Sequence, residues 1–301
     1  MKINDAINNL PNLEKEKAVC LETTVLTHGM PYPQNLECAL ACEEEVKKAG
    51  AKPYTIGIIN GEIKIGLTRK EIEALAQSHD AIKVSRKDIS YCIANKLTGS
   101  TTVAATMILA SLAKIRVFAT GGIGGVHRGF NETMDVSADL REFRSTPVSV
   151  VCAGPKAILD IPRTLEYLET EGVSVIGYQT EYMPLFYTRK SDYKLDIVAK
   201  DASDIAKIIY LNEKVGLKQG NLIVNPIPEK YSLDYDYMDK QIKEALKMMA
   251  KDHISGKRVT PYLLDKLVGL TKGKSLESNI ALIKNNAYVA GLIAKEYIDL
   301  K

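Results

Sequence analysis

Tryptophan is missing from the 301 residues and phenylalanine occurs only four times, so fifteen tyrosines carry most of the aromatic surface. No stretch approaches about 18 consecutive apolar residues, which argues against a bilayer-spanning helix. The start of the chain, Met1-Lys2-Ile3-Asn4-Asp5-Ala6, has no apolar signal region. No dense block of Lys or Arg occurs, and 40 basic against 37 acidic residues leave a net charge of +3, which is not the footprint of a nucleic-acid binder. The five cysteines (Cys20, Cys38, Cys42, Cys92, Cys152) are an odd number without CxxC spacing. That excludes a disulfide framework or a zinc site and fits reduced thiols in a cytoplasmic protein. There is no internal repeat and no linker rich in Gly, Ser or Pro.

What is present is an alternation of short apolar runs with helix-like segments, and 46% hydrophobic residues to build a sizeable core. Ala18 to Leu21 reads as a buried strand ending at Glu22. Asn35 is placed to cap a helix running to about Ala49, stopped by Gly50. Tyr54 to Leu67 reads as a hairpin turned by Asn60-Gly61, the preferred type I′ pair. Thr68-Arg69-Lys70-Glu71 is a capping box. Ala81 to Val84 is a strand, and Ser85 to Asp88 resembles a second helix start. Ser100 to Ala113 reads as a helix, Ile115 to Ala119 as a core strand and Asp139 to Arg144 as a short helix. The next expectations are a helix near Arg163–Glu171, a strand over Val173–Tyr178, a long loop over Gln179–Asp192, a helix over Ser203–Val215, a strand over Asn221–Asn225 and helices from about Tyr235. The fold class is α/β, one α/β/α layered domain over residues 1–301 with a mixed, largely parallel central sheet and a small additional hairpin or sheet.

Lys156 has an informative position. It follows the apolar run Pro147 to Ala153 and the break Gly154-Pro155, just beyond the carboxyl end of a core strand, where open α/β sheets bind ligands. A lysine held there, partly desolvated, loses its proton more readily and becomes an amine nucleophile; the bland alternative is a solvated loop lysine. Glu22, at another strand end, suits a general acid or base, or is an exposed strand-end carboxylate. Gly121 to Gly129 is a glycine-rich loop carrying the anion donors His127 and Arg128; without GxGxxG it is not a dinucleotide fingerprint and could equally be a flexible turn. Thr98 to Thr102 opens a predicted helix with hydroxyls, as a phosphate site or as plain capping. Asp135 and Asp139 flank Ser137, as ligands of a hard divalent cation or as caps. Asn279 could meet an amide-like base edge or be a polar position on a helix face.

The residues resemble the pseudouridine-5′-phosphate glycosidase family. The likeness is carried by Leu21 to Pro33, Lys83-Val84-Ser85-Arg86, Thr101 to Met107, Phe118 to Gly129, Asp135 to Leu140, Ala153 to Lys156, Ile161 to Glu166, Gly177 to Thr180, Ser278 to Leu282 and Asn285-Asn286-Ala287. Glu181 to Leu185 and Lys190-Ser191-Asp192 depart from the family pattern. The resemblance implies reversible cleavage of pseudouridine 5′-phosphate to uracil and ribose 5-phosphate, with Lys156 as nucleophile and Glu22 as proton donor. It implies Asp135 as ligand of a manganese ion, magnesium being an alternative. Lys83, Thr102, Val103, His127, Ser137, Ala138 and Asp139 would serve the sugar phosphate, and Asn279 the uracil. It also implies a cytoplasmic homotrimer acting on a small molecule, with no nucleic acid or membrane as partner. Two other readings stay open: a Schiff-base aldolase or C-glycoside synthase on another sugar phosphate, and a non-catalytic sugar-phosphate binder, against which the joint presence of Lys156 and Glu22 speaks.

Overall fold

The computed structural model describes residues 10–301, so Met1 to Ala6 lie outside the described residues. The strands are β1 (Ala18–Leu21), β2 (Lys52–Ile59), β3 (Glu62–Ile65), β4 (Ile82–Val84), β5 (Gly99–Thr101), β6 (Val117–Ala119), β7 (Val126–His127), β8 (Ser149–Cys152), β9 (Leu159–Asp160), β10 (Val175–Tyr178), β11 (Ile197–Ala199) and β12 (Leu222–Val224). Among the described residues ten of them form one sheet, ordered β11-β10-β12-β8-β6-β1-β2-β5-β4 with β3 on β2. The pairs from β11 to β2 are parallel, whereas β2 pairs antiparallel with β3 and β5. β7 and β9 make a separate antiparallel ribbon.

The helices that cover the sheet are α1 (Gln34–Lys48), α2 (Val103–Leu112), α3 (Ala138–Ser145), α4 (Ile161–Thr170), α5 (Ala202–Val215), α6 (Tyr235–Lys251), α7 (Val259–Leu270) and α8 (Lys274–Asp299). The period-2 alternation of side chains along each strand divides the core into two layers. In β8 and the residue after it, Val151 and Ala153 pack with α1, α5, α6, α7 and α8, while Val150 and Cys152 pack with α2, α3 and α4. Both faces are apolar because both are covered, as a parallel sheet requires. The five cysteines are free and buried. No helix among the described residues is long and apolar enough to cross a membrane.

Most predicted elements are present with small shifts of boundary. Asn60 and Gly61 both have positive φ, as a type I′ turn demands, and the Thr68–Glu71 capping box forms. Two expectations need correction. Asn35 does not cap α1; it lies inside it, buried, and its amide donates to the carbonyls of Leu26 and Ala76 at 2.5 and 2.9 Å. The predicted Ser100–Ala113 helix starts at Val103, because Gly99–Thr101 pairs with β2 and β4 as a strand. The predicted loop over Gln179–Asp192 holds no helix or strand; β11, which follows it and pairs with β10, had no sequence expectation. A five-residue π-helical turn, Val25–Gly29, follows β1 and had no sequence signal.

Candidate active site

Three neighbouring parallel strands, β8, β6 and β1, end at the same edge of the sheet. Lys156, Thr120 and Glu22 follow them, so residues far apart in sequence converge where ligands of such sheets bind. Lys156 is fixed by its main chain. The glycine-rich loop and the segment after β8 are laced together by Ala153 N–H to Gly121 O (2.9 Å), Ile123 N–H to Gly154 O (3.3 Å) and Lys156 N–H to Ile123 O (3.1 Å). Gly154 turns this segment with φ +89°, and a Cβ there would stand 2.6 Å from the carbonyl oxygen of Pro184, so a side chain is barred twice over.

Two cavities meet at this edge. One, open to solvent, is lined mainly by polar and charged side chains, four of them cationic and three acidic. It brings together ten of the residues singled out in the sequence: Glu22, Lys83, Thr102, Val103, His127, Asp135, Ser137, Ala138, Asp139 and Lys156. Ser85, Arg86 and Lys87 from the turn after β4 also line it; Lys87 adds positive charge, while Arg86 is paired with the buried Glu142 at 2.6 and 2.8 Å. Thr102 caps α2, and Val103 opens it; the side chain of Val103 is buried, so its contribution to the cleft is the first-turn main chain. Asp139 lines the same cleft but is committed to the backbone: one oxygen accepts from Ala104 N–H at the start of α2 and the other from Gly124 N–H, both at 2.9 Å. It ties the glycine-rich loop to that helix.

The second, smaller cavity shares Glu22, Thr24, Lys83, Lys156 and Thr260 with the first. Its walls are otherwise largely apolar, with Val25, Phe186, Pro261, Leu264 and Ile283. Asn279 lies in it, and among the described residues its buried Oδ1 has no hydrogen-bond partner. A buried amide oxygen without a donor is costly, and a ligand N–H aimed at it would remove the cost. Phe186 holds a left-handed backbone, φ +63°, at this wall, with its ring edge-on to Tyr187. A Cβ on Gly122 would stand 2.6 Å from the Phe186 ring and 2.8 Å from the Gly154 carbonyl oxygen.

Glu22 lies where the cavities join. Burial raises its carboxyl above the ordinary carboxylate range, against the opposing charge of Lys156 and the hydroxyl of Thr120. Thr120 donates to Oε1, so in the acid form the proton sits on Oε2. The His127 imidazole is held below its usual value first by burial and then by Lys156 and Lys83, with Asp135 opposing. Its ring nitrogen lies 3.9 Å from the Asp135 carboxylate, and its main-chain N–H donates to the Asp135 carbonyl at 3.0 Å. Among the described residues no group of three His, Cys, Asp or Glu is arranged to hold a metal.

His28, Phe186 and Thr260 line these cavities but were not singled out as site residues. His28 had a signal in its resemblant stretch; Phe186 lies in the loop that departs from the family pattern; Thr260 opens an amphipathic helix that reads as ordinary packing.

The chain matches the family described as Indigoidine synthase A like protein over residues 9–296. It is 55% identical over 281 residues to the pseudouridine-5′-phosphate glycosidase of Caldanaerobacter subterraneus, covering 93% of this chain and 92% of that one. It is 54% identical to the glycosidase of the same name from Geobacillus kaustophilus, covering 94% of each. The chain belongs to the pseudouridine-5′-phosphate glycosidase family. Membership makes it an enzyme, a glycosidase by class. Solved structures agree on the α/β fold of the family. An indigoidine synthase A-like protein from Thermotoga maritima is 35% identical, with a TM-score of 0.86 and 93% of each chain covered. The prealnumycin C-glycosynthase, solved with ribulose 5-phosphate, is 36% identical with a TM-score of 0.87, covering 95% of this chain and 93% of that one.

Proposed function

We propose that this enzyme reversibly cleaves the carbon–carbon glycosidic bond of pseudouridine 5′-phosphate to uracil and ribose 5-phosphate, through an imine on Lys156. The observation that carries the reading is the placement of Lys156 and Glu22 at the junction of a cationic cleft suited to a sugar phosphate and an apolar cavity suited to a flat base. The family's named members and a structural neighbour solved with a pentulose phosphate support it.

A C-linked base leaves poorly, because the bond that breaks must return its electron pair to carbon. In the reading proposed here, the Lys156 amine bonds to C1′, the C1′–O4′ bond breaks, and the departing oxygen takes a proton from Glu22. The new ammonium returns a proton to Glu22, the freed nitrogen lone pair forms C=N while the bond from C1′ to uracil C5 breaks, and C5 takes that proton from Glu22. Water hydrolyses the imine, returning the amine and giving ribose 5-phosphate. Lys83, Arg86, Lys87, His127 and the opening turns of α2 and α3 would hold the phosphate. Asn279 would accept from a uracil N–H.

Asp135, half-exposed in the cleft, presents hard carboxylate oxygens to a cation whose shell water and substrate oxygen would complete. Asp135 would hold manganese or magnesium, which when bound would add positive field beside the phosphate. The enzyme would act in the cytoplasm as a homotrimer, with sedimentation giving three times the 33.2 kDa chain mass.

Ultraviolet-monitored release of uracil tests the activity, with EDTA lowering the rate and manganese restoring it. Borohydride added with ribose 5-phosphate is expected to leave a covalent mass on Lys156, and none on Lys156→Ala. Uracil release without any trapped adduct would sink the imine. Turnover of another sugar phosphate with no release of uracil would instead favour an aldolase or C-glycoside synthase.

A further inference from the structure

The base cavity holds a second candidate acceptor, His28, on the π-helical turn after β1. Counting protons fixes its tautomer. Thr27 Oγ1 donates to Ser100 Oγ at 2.6 Å, which uses its one hydrogen. The 2.5 Å contact between Thr27 Oγ1 and His28 Nδ1 must then carry its proton on Nδ1. Nδ1 is thereby turned to the Thr27–Ser100 pair, and Nε2, on the far side of the ring, carries the lone pair. Burial, and secondarily the charge of Lys83, holds the imidazole below its usual value, which keeps that lone pair available at neutral pH.

A uracil attached through C5 has two free N–H groups, N1–H and N3–H, whereas one attached through N1 has N3–H alone. Two acceptors on different elements match two donors. Resting on the function proposed above, we infer that His28 Nε2 accepts from N1–H while Asn279 Oδ1 accepts from N3–H, so that His28 is the residue by which the site recognises a C-linked base. A donor missing from the ligand leaves a buried acceptor unpaired, which is how such a site rejects near-isosteres strongly.

The test compares pseudouridine 5′-phosphate with its N1-methyl and N3-methyl derivatives. Wild-type enzyme is expected to release uracil from the parent but to lose at least about 100-fold in kcat/KM on N1-methylation. Release from the parent with equal turnover of the N1-methyl compound overturns this inference and leaves the proposed function standing; no release from the parent sinks that function itself. Binding measured in the Lys156→Ala background, where turnover is blocked, assigns the residue. Adding His28→Ala should bring the N1-methyl and parent affinities within about threefold, while N3-methyl discrimination persists; His28→Gln, which keeps an acceptor oxygen, should retain discrimination against N1-methyl. Discrimination against N1-methyl that survives His28→Ala, or relief of the N3-methyl penalty instead, overturns the assignment.

Discussion

Burial pushes the Glu22 carboxyl above its usual value, which is the direction the proton-donor role proposed above requires. Because its folded-state value lies above the unfolded one, the folded chain holds this proton more tightly. The stability it contributes is present at low pH and lost as pH rises through the folded value. Glu22→Gln cannot ionise, so it should melt higher than wild type at about pH 8, with the gap closing toward about pH 4. The same change should lower kcat by about 100-fold or more, and wild-type activity should fall on the alkaline side. Identical melting shifts at both pH values would show that the carboxyl is not desolvated. Gly122 is a second residue whose size is dictated by the site. Gly122→Ala should push Phe186 off the base cavity and raise KM for the nucleotide at least tenfold by steady-state kinetics, about the effect of losing one good apolar contact. Lys156 and Glu22 were legible in the sequence because strand ends are legible. Phe186 was not, since its role depends on a left-handed backbone that no sequence pattern announces.

At the scale of elements, Asp139 acts as a fastener. Its carboxylate joins the start of α2 to the glycine-rich loop through two main-chain amides, and it is only 6% exposed. Asp139→Ala leaves both amides unpaired and should cost about 3 kcal/mol by denaturant melting, taking two charge-assisted bonds at the low end of their range. A loss under about 1 kcal/mol would mean water replaces the carboxylate and the fastening is not structural. Longer elements such as α5 stood where the sequence put them. Short ones did not. Gly99–Thr101 is three residues long, and only pairing with β2 and β4 makes it a strand rather than the first turn of α2. Asn35 was read as a cap because that is what Asn near a helix start usually does. Its amide instead bridges the π-helical turn and the Arg69–Ala76 helix, a long-range demand invisible in a window of neighbours.

For the molecule as a whole, the edge of the sheet far from the candidate site carries a poorly satisfied charge. Arg116 immediately precedes β6, at the edge away from Lys156. Among the described residues its buried Nε and Nη1 have no partner, and its Nη2 lies 3.8 Å from Glu213. Glu213 keeps Tyr297 and Lys301 as partners without it. A buried cation this poorly satisfied is costly, so Arg116→Met should raise the melting temperature while leaving kcat within about twofold. A fall in melting temperature would show that the Glu213 contact outweighs the burial. The layered architecture was legible because central strands such as β1, β6 and β12 are apolar on both faces, whereas the pairing order of ten strands was not, since strands adjacent in the sheet, such as β12 and β8, are separated by some seventy residues of chain.

The junction of the two cavities bears on how such enzymes could diverge. Apart from Gly256 and Thr260, the cleft assigned to the sugar phosphate comes from the chain before Asp160, while Phe186, Pro261, Leu264, Asn279 and Ile283 of the base cavity come after it. One wall of the base cavity is thus written late in the chain, while Val25, His28 and Gly29 on the other side belong to the earlier portion. A lineage, or an engineer, could vary that late wall to fit a differently shaped acceptor while the earlier portion kept its grip on the sugar phosphate.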